Sequence, residues 1–127
     1  MLNEAIKIKE MKDVAVISVM TDFTTAMEKI MDDTYHDLCQ NGFKKILIEF
    51  DQDKHITSGG IAVLIGLLSK SRQMGQQVCI TGLSDHFVKT FNMVGINHYT
   101  TIYPSLDSAL KEMSECASNG YTIKAEC

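Results

Sequence analysis

Residues 46–75 constrain this chain more than any other stretch. A short apolar run, Ile46-Leu47-Ile48-Glu49-Phe50, gives way to a polar segment, Asp51-Gln52-Asp53-Lys54-His55. Thr57-Ser58-Gly59-Gly60 then leads into an apolar stretch that ends at Met74-Gly75. The first run is too short for a helix and has the β-rich composition of a buried strand. The last has the length and spacing of a helix. Strand, loop and helix in that order place the loop at a helix N-terminus, where backbone N–H groups lack partners and the dipole is positive. A helix following a strand packs back onto the sheet and feeds a parallel neighbour, so the fold expected is α/β.

The flanking sequence repeats the pattern. Residues 5–9 alternate Ile6 and Ile8 with Lys7 and Lys9, and residues 14–19 are β-branched and apolar. Met11-Lys12-Asp13 between them reads as the turn of an antiparallel pair. A helix is expected over residues 25–40, opened by a Thr25–Glu28 capping box and closed at Asn41-Gly42. Its buried stripe is Met27, Ile30, Met31, Tyr35 and Leu38. The central helix is expected over residues 60–74, followed by a strand at residues 78–81. A third helix spans residues 85–94, capped by Ser84 and stopped by Gly95, with Phe87, Phe91 and Val94 inward. A short edge strand falls at Ile102-Tyr103, and Pro104-Ser105 opens a fourth helix to about residue 117 with Leu106, Ala109, Leu110 and Met113 inward. The expectation is one α/β domain over residues 1–117, with a mixed sheet of four to five strands and about four α-helices. Residues 118–127 form a tail whose 121–125 segment reads as a short strand or a frayed end.

Bulk properties narrow the function. At 127 residues the chain suits a single domain. That length buries roughly two-thirds of the unfolded surface. A net charge of −4 without a basic stripe argues against nucleic acid as the partner. No apolar run reaches the length of a membrane span, and residues 1–20 carry no secretory signature. Cys39, Cys79, Cys116 and Cys127 have no CxxC or metal-ligand spacing. Free thiols in a reducing, cytoplasmic compartment are the reading that follows, with Cys79 a small buried hydrophobe. His36 and Cys39 lie one helical turn apart but have no second pair, so no metal site is expected. Asp51 and Asp53 read as solvated loop residues, and the other signatures of a phospho-accepting receiver are missing. Ser58 lacks an identifiable base, and there is no nucleophile elbow or phosphate-binding loop motif. No catalytic residue and no cofactor are expected.

On a helical wheel of the central helix, Ile61, Leu64, Ile65 and Leu68 share one arc, read as the core face. Ala62, Gly66, Ser69 and Gln73 form a second arc of small or polar residues. Val63, Leu67 and Met74 lie beside it as an apolar flank. Gly66 lowers helix propensity by about 1 kcal/mol relative to Ala. Near-continuous apolarity reads first as a helix buried between neighbouring elements; the cost at Gly66 suggests the sharper alternative, that the small-residue arc and its flank admit a partner helix closely.

Ile56-Thr57-Ser58-Gly59-Gly60-Ile61-Ala62-Val63-Leu64-Ile65-Gly66 resembles the hallmark segment of STAS domains, the anti-sigma factor antagonist family, whose usual motif is Asp-Ser-Ser-Gly-Leu before an apolar helix. Residues 75–84, Phe91-Asn92-Met93-Val94-Gly95-Ile96 and residues 105–109 resemble later segments of the same family, so the resemblance spans residues 14–113. It implies a small bacterial regulator that binds an anti-sigma factor, often a serine kinase, and is switched off by phosphorylation of the motif's second serine. Aligned on Gly60-Ile61, the motif's Asp falls on Thr57, its first serine on Ser58 and the second on Gly59. The usual acceptor hydroxyl is therefore absent. The family's Gly-x-Leu-Asp segment is also unrecognisable in Met20-Thr21-Asp22-Phe23.

The partner-binding residues expected from the resemblance and the wheel are Thr57, Ser58, Gly59, Gly60, Val63 and Leu67. Ser58 or Thr57 serves as a substitute phosphate acceptor, or the domain docks without a switch; the flexibility of Gly59 favours the second. Competing readings are a STAS-like subunit of a stress-signalling or lipid-transport ATPase complex, and a nucleotide- or anion-binding protein that uses the helix N-terminus. Edge strands at the N-terminal hairpin allow a homodimer. The docking reading predicts that Ser58→Asp and Leu67→Asp each weaken partner binding, measured by titration, while circular dichroism shows the fold intact.

Overall fold

A computed structural model describes residues 5–11 and 13–119. Five strands make one sheet in sequence order: β1 Ile6–Met11, β2 Val14–Val19, β3 Lys45–Glu49, β4 Gln77–Thr81 and β5 Ile102–Tyr103. β1 runs antiparallel to β2, and every later pairing is parallel. The helices are α1 Glu28–Gln40, α2 Ser58–Gln73, α3 Asp85–Met93 and α4 Leu106–Asn119, with 3-10 turns at Thr25–Met27 and Ile96–His98. The mixed-sheet α/β architecture matches the expectation. The segment 121–125 lies outside the described residues. Met11, expected in the first turn, instead extends β1 and pairs with Val14.

Two apolar layers cover the sheet. Ala15, Ile17, Val19, Ile46, Ile48, Val78 and Ile80 point toward α1, α2 and α3. Val14, Val16, Leu47 and Cys79 point toward Ala109, Leu110 and Met113 of α4. Strands buried on both faces need apolar side chains at successive positions, which is why β2 reads Val-Ala-Val-Ile-Ser-Val without alternation. β1, at the edge, is mostly exposed and places Lys7 and Lys9 along the sheet margin, a composition that discourages unplanned strand pairing. Burial under α4 pushes the Cys79 thiol up to about 11, so it remains protonated at neutral pH and packs as a small hydrophobe.

Several local expectations shift for identifiable reasons. The first helix is capped one residue earlier than expected. The Thr24 hydroxyl accepts from the Ala26 N–H at 3.1 Å, and a 3-10 turn precedes α1, so the Thr25–Glu28 capping box does not form. The α1 stripe of Met27, Met31, Tyr35 and Leu38 is buried, with Ile30 packed against its margin. α3 is capped by Ser84, whose hydroxyl accepts from the Phe87 N–H at 3.4 Å, and Gly95 beyond its end takes φ +86°. Phe91 is buried, but Val94 at the end of α3 is 49% exposed rather than inward.

The largest correction concerns α2. It begins at Ser58, not Gly60, so the glycines belong to its first turn. Its buried residues are Gly60, Leu64, Leu67, Leu68 and Ser71, while Ile61 and Ile65 are half-buried. The core arc is therefore rotated by about 60° from the one read on the wheel. Leu67, expected on a docking flank, is 2% exposed and lies in the core. Leu67→Asp would bury a charge and disrupt the fold rather than leave it intact. Gly66 faces outward, and a Cβ there would meet nothing within 4 Å.

Opposite stability effects follow at adjacent residues. Leu67→Ala should lower the unfolding free energy by about 2–5 kcal/mol through cavity formation. Gly66→Ala should raise it by about 0.4–1 kcal/mol by restricting the unfolded chain. Urea denaturation of both variants, with m-values compared, checks the pair.

Candidate functional site

The loop between β3 and α2 is fastened to the segment that follows β2. After Glu49 the chain turns at Asp51, whose carboxylate accepts from the Asp53 N–H at 2.9 Å, while its carbonyl accepts from Lys54 at 3.0 Å. Both acids are exposed, as the solvated-loop reading has them, and the Asp51 side chain in addition holds the turn it occupies.

Beyond the turn, residues 55–57 run parallel to residues 22–24. The His55 N–H donates to Asp22 Oδ1 at 2.9 Å. Phe23 donates to the His55 carbonyl at 2.8 Å, and Thr57 donates back to the Phe23 carbonyl at 3.0 Å. Phe23 and Ile56 form an isolated parallel bridge. The Phe23 ring is fully buried, edge-on to Phe50 with centroids 5.3 Å apart. This clasp fixes both segments against the core.

Thr57 then starts α2. Its extended backbone (φ −81°, ψ 167°) and its hydroxyl, which accepts from the Gly60 N–H at 3.1 Å, make it the N-cap. The same hydroxyl faces the Phe23 carbonyl at 3.5 Å. Gly60 lies directly against the clasp. A Cβ at this position would stand 2.8 Å from the Phe23 carbonyl carbon and closer still to its oxygen, so only glycine fits. Gly59 meets another neighbour: a Cβ there would overlap the Thr25 hydroxyl and lie 3.4 Å from Thr25 Cβ. The notion of Gly59 as a flexible loop residue gives way to a packed helical position.

The six expected site residues therefore separate. Ser58 is exposed at the first helical position, and Gly59 is half-exposed beside it. Val63 is half-buried along the same side of α2. Thr57 is exposed, but its hydroxyl is committed to the cap. Gly60 and Leu67 are buried and serve the fold. Ala62 and Gly66 are exposed one and two turns beyond Ser58 and complete a narrow strip of small residues. Sequence reasoning placed them on one arc but did not include them in the site. It also left out Asp22, Phe23 and Thr25. Their signal was a polar, hydroxyl-rich segment between a strand and a helix, the type of segment that comes to lie beside the next β–α loop when the strands are parallel neighbours. Because Thr57 already takes the Gly60 N–H, this helix start offers an anion one donor fewer than an open N-terminus would.

A family model described as the STAS domain matches residues 5–109. No curated protein matches the chain by sequence. Solved structures share the fold at low identity. RsbS from Moorella thermoacetica, in a serine-to-glutamate variant, has a TM-score of 0.76 at 15% identity, covering 89% of this chain and 97% of its own. The Thermotoga maritima protein TM1081 has a TM-score of 0.73 at 14% identity, covering 86% and 94%. The Bacillus cell fate determinant SpoIIAA in its phosphorylated form has a TM-score of 0.61 at 12% identity, covering 86% and 99%. SpoIIAA in its unphosphorylated form is described as an anti-sigma factor antagonist.

The geometry ranks three substitutions. Thr57→Ser should be nearly neutral, because a hydroxyl still caps Gly60. Thr57→Ala should cost about 1 kcal/mol, the usual loss of an N-cap. Gly60→Ala should cost more than Thr57→Ala, because the Phe23 backbone must move. Thermal and urea unfolding of the three variants should reproduce this order.

Proposed function

This chain belongs to the STAS domain family, and on that footing we propose that it is a regulatory binding protein of the anti-sigma factor antagonist type. Its partner in this reading is an anti-sigma factor or a related serine kinase, and its output is release of a sigma factor. The observation that carries the reading is the exposed strip beginning at Ser58 and continuing through Ala62 and Gly66. It lies on a helix whose opposite side is locked to the sheet by Leu64, Leu67 and Leu68. A strip without bulky side chains lets a partner backbone approach closely. A rigid base means little conformational order must be acquired on docking. Ser58 supplies an uncommitted hydroxyl at the end of the strip. Val63 adds an apolar margin, and Gly59 presents backbone to the partner.

Electrostatics support a protein partner. Asp22, Asp51 and Asp53 are exposed on the clasp and the turn that enters it, against Lys54 and His55. The balance is acidic, which disfavours a polyphosphate and suits a basic protein surface. No helix among the described residues is long and apolar enough to cross a membrane. We assign the working compartment as the cytoplasm, where anti-sigma factors are met.

Two substitutions on the strip test the surface without touching the core. Ala62→Glu and Ser58→Glu should each weaken binding to the anti-sigma factor of the source cell by about tenfold or more, equivalent to ~1.4 kcal/mol. Neither should shift the unfolding midpoint appreciably, because both side chains are exposed. Isothermal titration with that anti-sigma factor reads the affinity. Wild-type affinity in both variants would count against the strip as the docking surface.

A further inference from the structure

The hydroxyls around the clasp differ in what they do. Thr24 caps the first 3-10 turn, and Thr57 caps α2. The Thr21 hydroxyl lies 3.3 Å from the Asp22 carbonyl and 3.9 Å from Met27 Sδ. Two hydroxyls remain without hydrogen-bond partners among the described residues: Ser58 and Thr25. Both belong to exposed residues. They are not equivalent in position. The Thr25 hydroxyl occupies the space where the side chain of residue 59 would begin, overlapping a Cβ built on Gly59. The main chain at position 59 carries no side chain, and a neighbouring segment delivers a hydroxyl to the same point on the surface.

From this coincidence we propose that Thr25 is a phosphate-accepting residue, the hydroxyl that this chain presents to a kinase docked on the α2 strip. The inference rests on the docking reading and adds to it a modification site on a different element. In the transfer, Thr25 Oγ1 attacks the γ-phosphorus of ATP held by the kinase. The bond from that phosphorus to the bridging oxygen breaks, ADP leaves, and the hydroxyl proton passes to a base of the kinase. The product carries about −2 charge beside the first turn of α2. It would stand next to Gly59 and Ser58, at the end of the strip where a partner must approach. The hydroxyl of Thr57 is a poor alternative, because phosphorylation there would remove the cap on Gly60. Ser58 is a structurally free alternative, and the experiment distinguishes it.

The site also explains the pairing of residue types. With threonine at position 25 and its hydroxyl turned toward α2, a serine at position 59 collides with it. With glycine at 59 the collision disappears and one hydroxyl remains. The two positions together hold a single acceptor rather than two.

The test uses the full chain, magnesium and γ-labelled ATP in clarified lysate of the source cell, with phosphosites located by tandem mass spectrometry. The expected result is phosphate on Thr25, lost in Thr25→Ala and retained in Thr25→Ser. In the double variant Thr25→Ala/Gly59→Ser, phosphate should return, now on residue 59. Circular dichroism of each variant establishes that the fold is kept. Phosphate on Ser58 or Thr57 instead, or no phosphate on the wild-type chain, overturns the proposal. Ala62→Glu in the same lysate separates this proposal from the docking reading. Phosphorylation of Thr25 that is unaffected by Ala62→Glu would sink the strip as the kinase-binding surface and leave Thr25 as the acceptor. Anti-sigma factor binding that depends on the strip, with no phosphate on Thr25, would do the reverse.

Discussion

The backbone of Phe23 is the contact on which the rest of the site depends. Its N–H and carbonyl are both taken by the segment entering α2, through His55 and Thr57. Its ring is sealed in the core against Phe50. The carbonyl that accepts from Thr57 also lies against the first turn of α2, and Gly60 is the only residue type small enough to sit there. The backbone of one residue therefore sets the height of the loop, the start of the helix and the helix's rotation about its own axis. The exposed strip follows from that rotation. With Gly60, Leu64, Leu67 and Ser71 turned inward, Ser58, Ala62 and Gly66 must turn outward.

The Phe23 contact also accounts for what the sequence made legible and what it did not. Strands buried on both faces, helices with strong three-and-four spacing, and stops at Asn41-Gly42 and Gly95 are local signals, and they located most elements to within a residue or two. The family resemblance directs attention to residues 57–60 as the expected docking segment. The phase of α2 was not readable, because the helix is apolar around most of its circumference and a wheel cannot choose between near-equal arcs. Leu67 was consequently put on the surface and Ile61 in the core. What fixes the phase is a contact between residues 23 and 60, far apart in sequence, and no periodicity within α2 reports it. The Thr24 cap was missed for a similar reason: adjacent threonines each satisfy the local cap rule, and the 3-10 turn decides between them.

Gly59 illustrates how a missing side chain can mislead when read alone. In sequence it stands where the family resemblance puts a serine, and it suggests a lost switch and a flexible loop. In the fold it belongs to the first turn of a helix and packs against the Thr25 hydroxyl. The surface at that point still carries a hydroxyl, contributed by another element. The acidic turn and the start of the small-residue strip lie at the end of the sheet where β3 hands over to the loop before α2. That is where open α/β sheets generally place their binding surfaces.

The most direct test of this account is a nitrogen-15 chemical-shift map of the labelled chain, titrated with the anti-sigma factor of its source cell. The account predicts that shifts concentrate at Ser58, Gly59, Ala62, Val63 and Gly66, with Thr25 moving alongside Gly59, while the β1 edge and α4 remain still. Shifts confined to the β1 edge or α4, with the α2 strip silent, would contradict it.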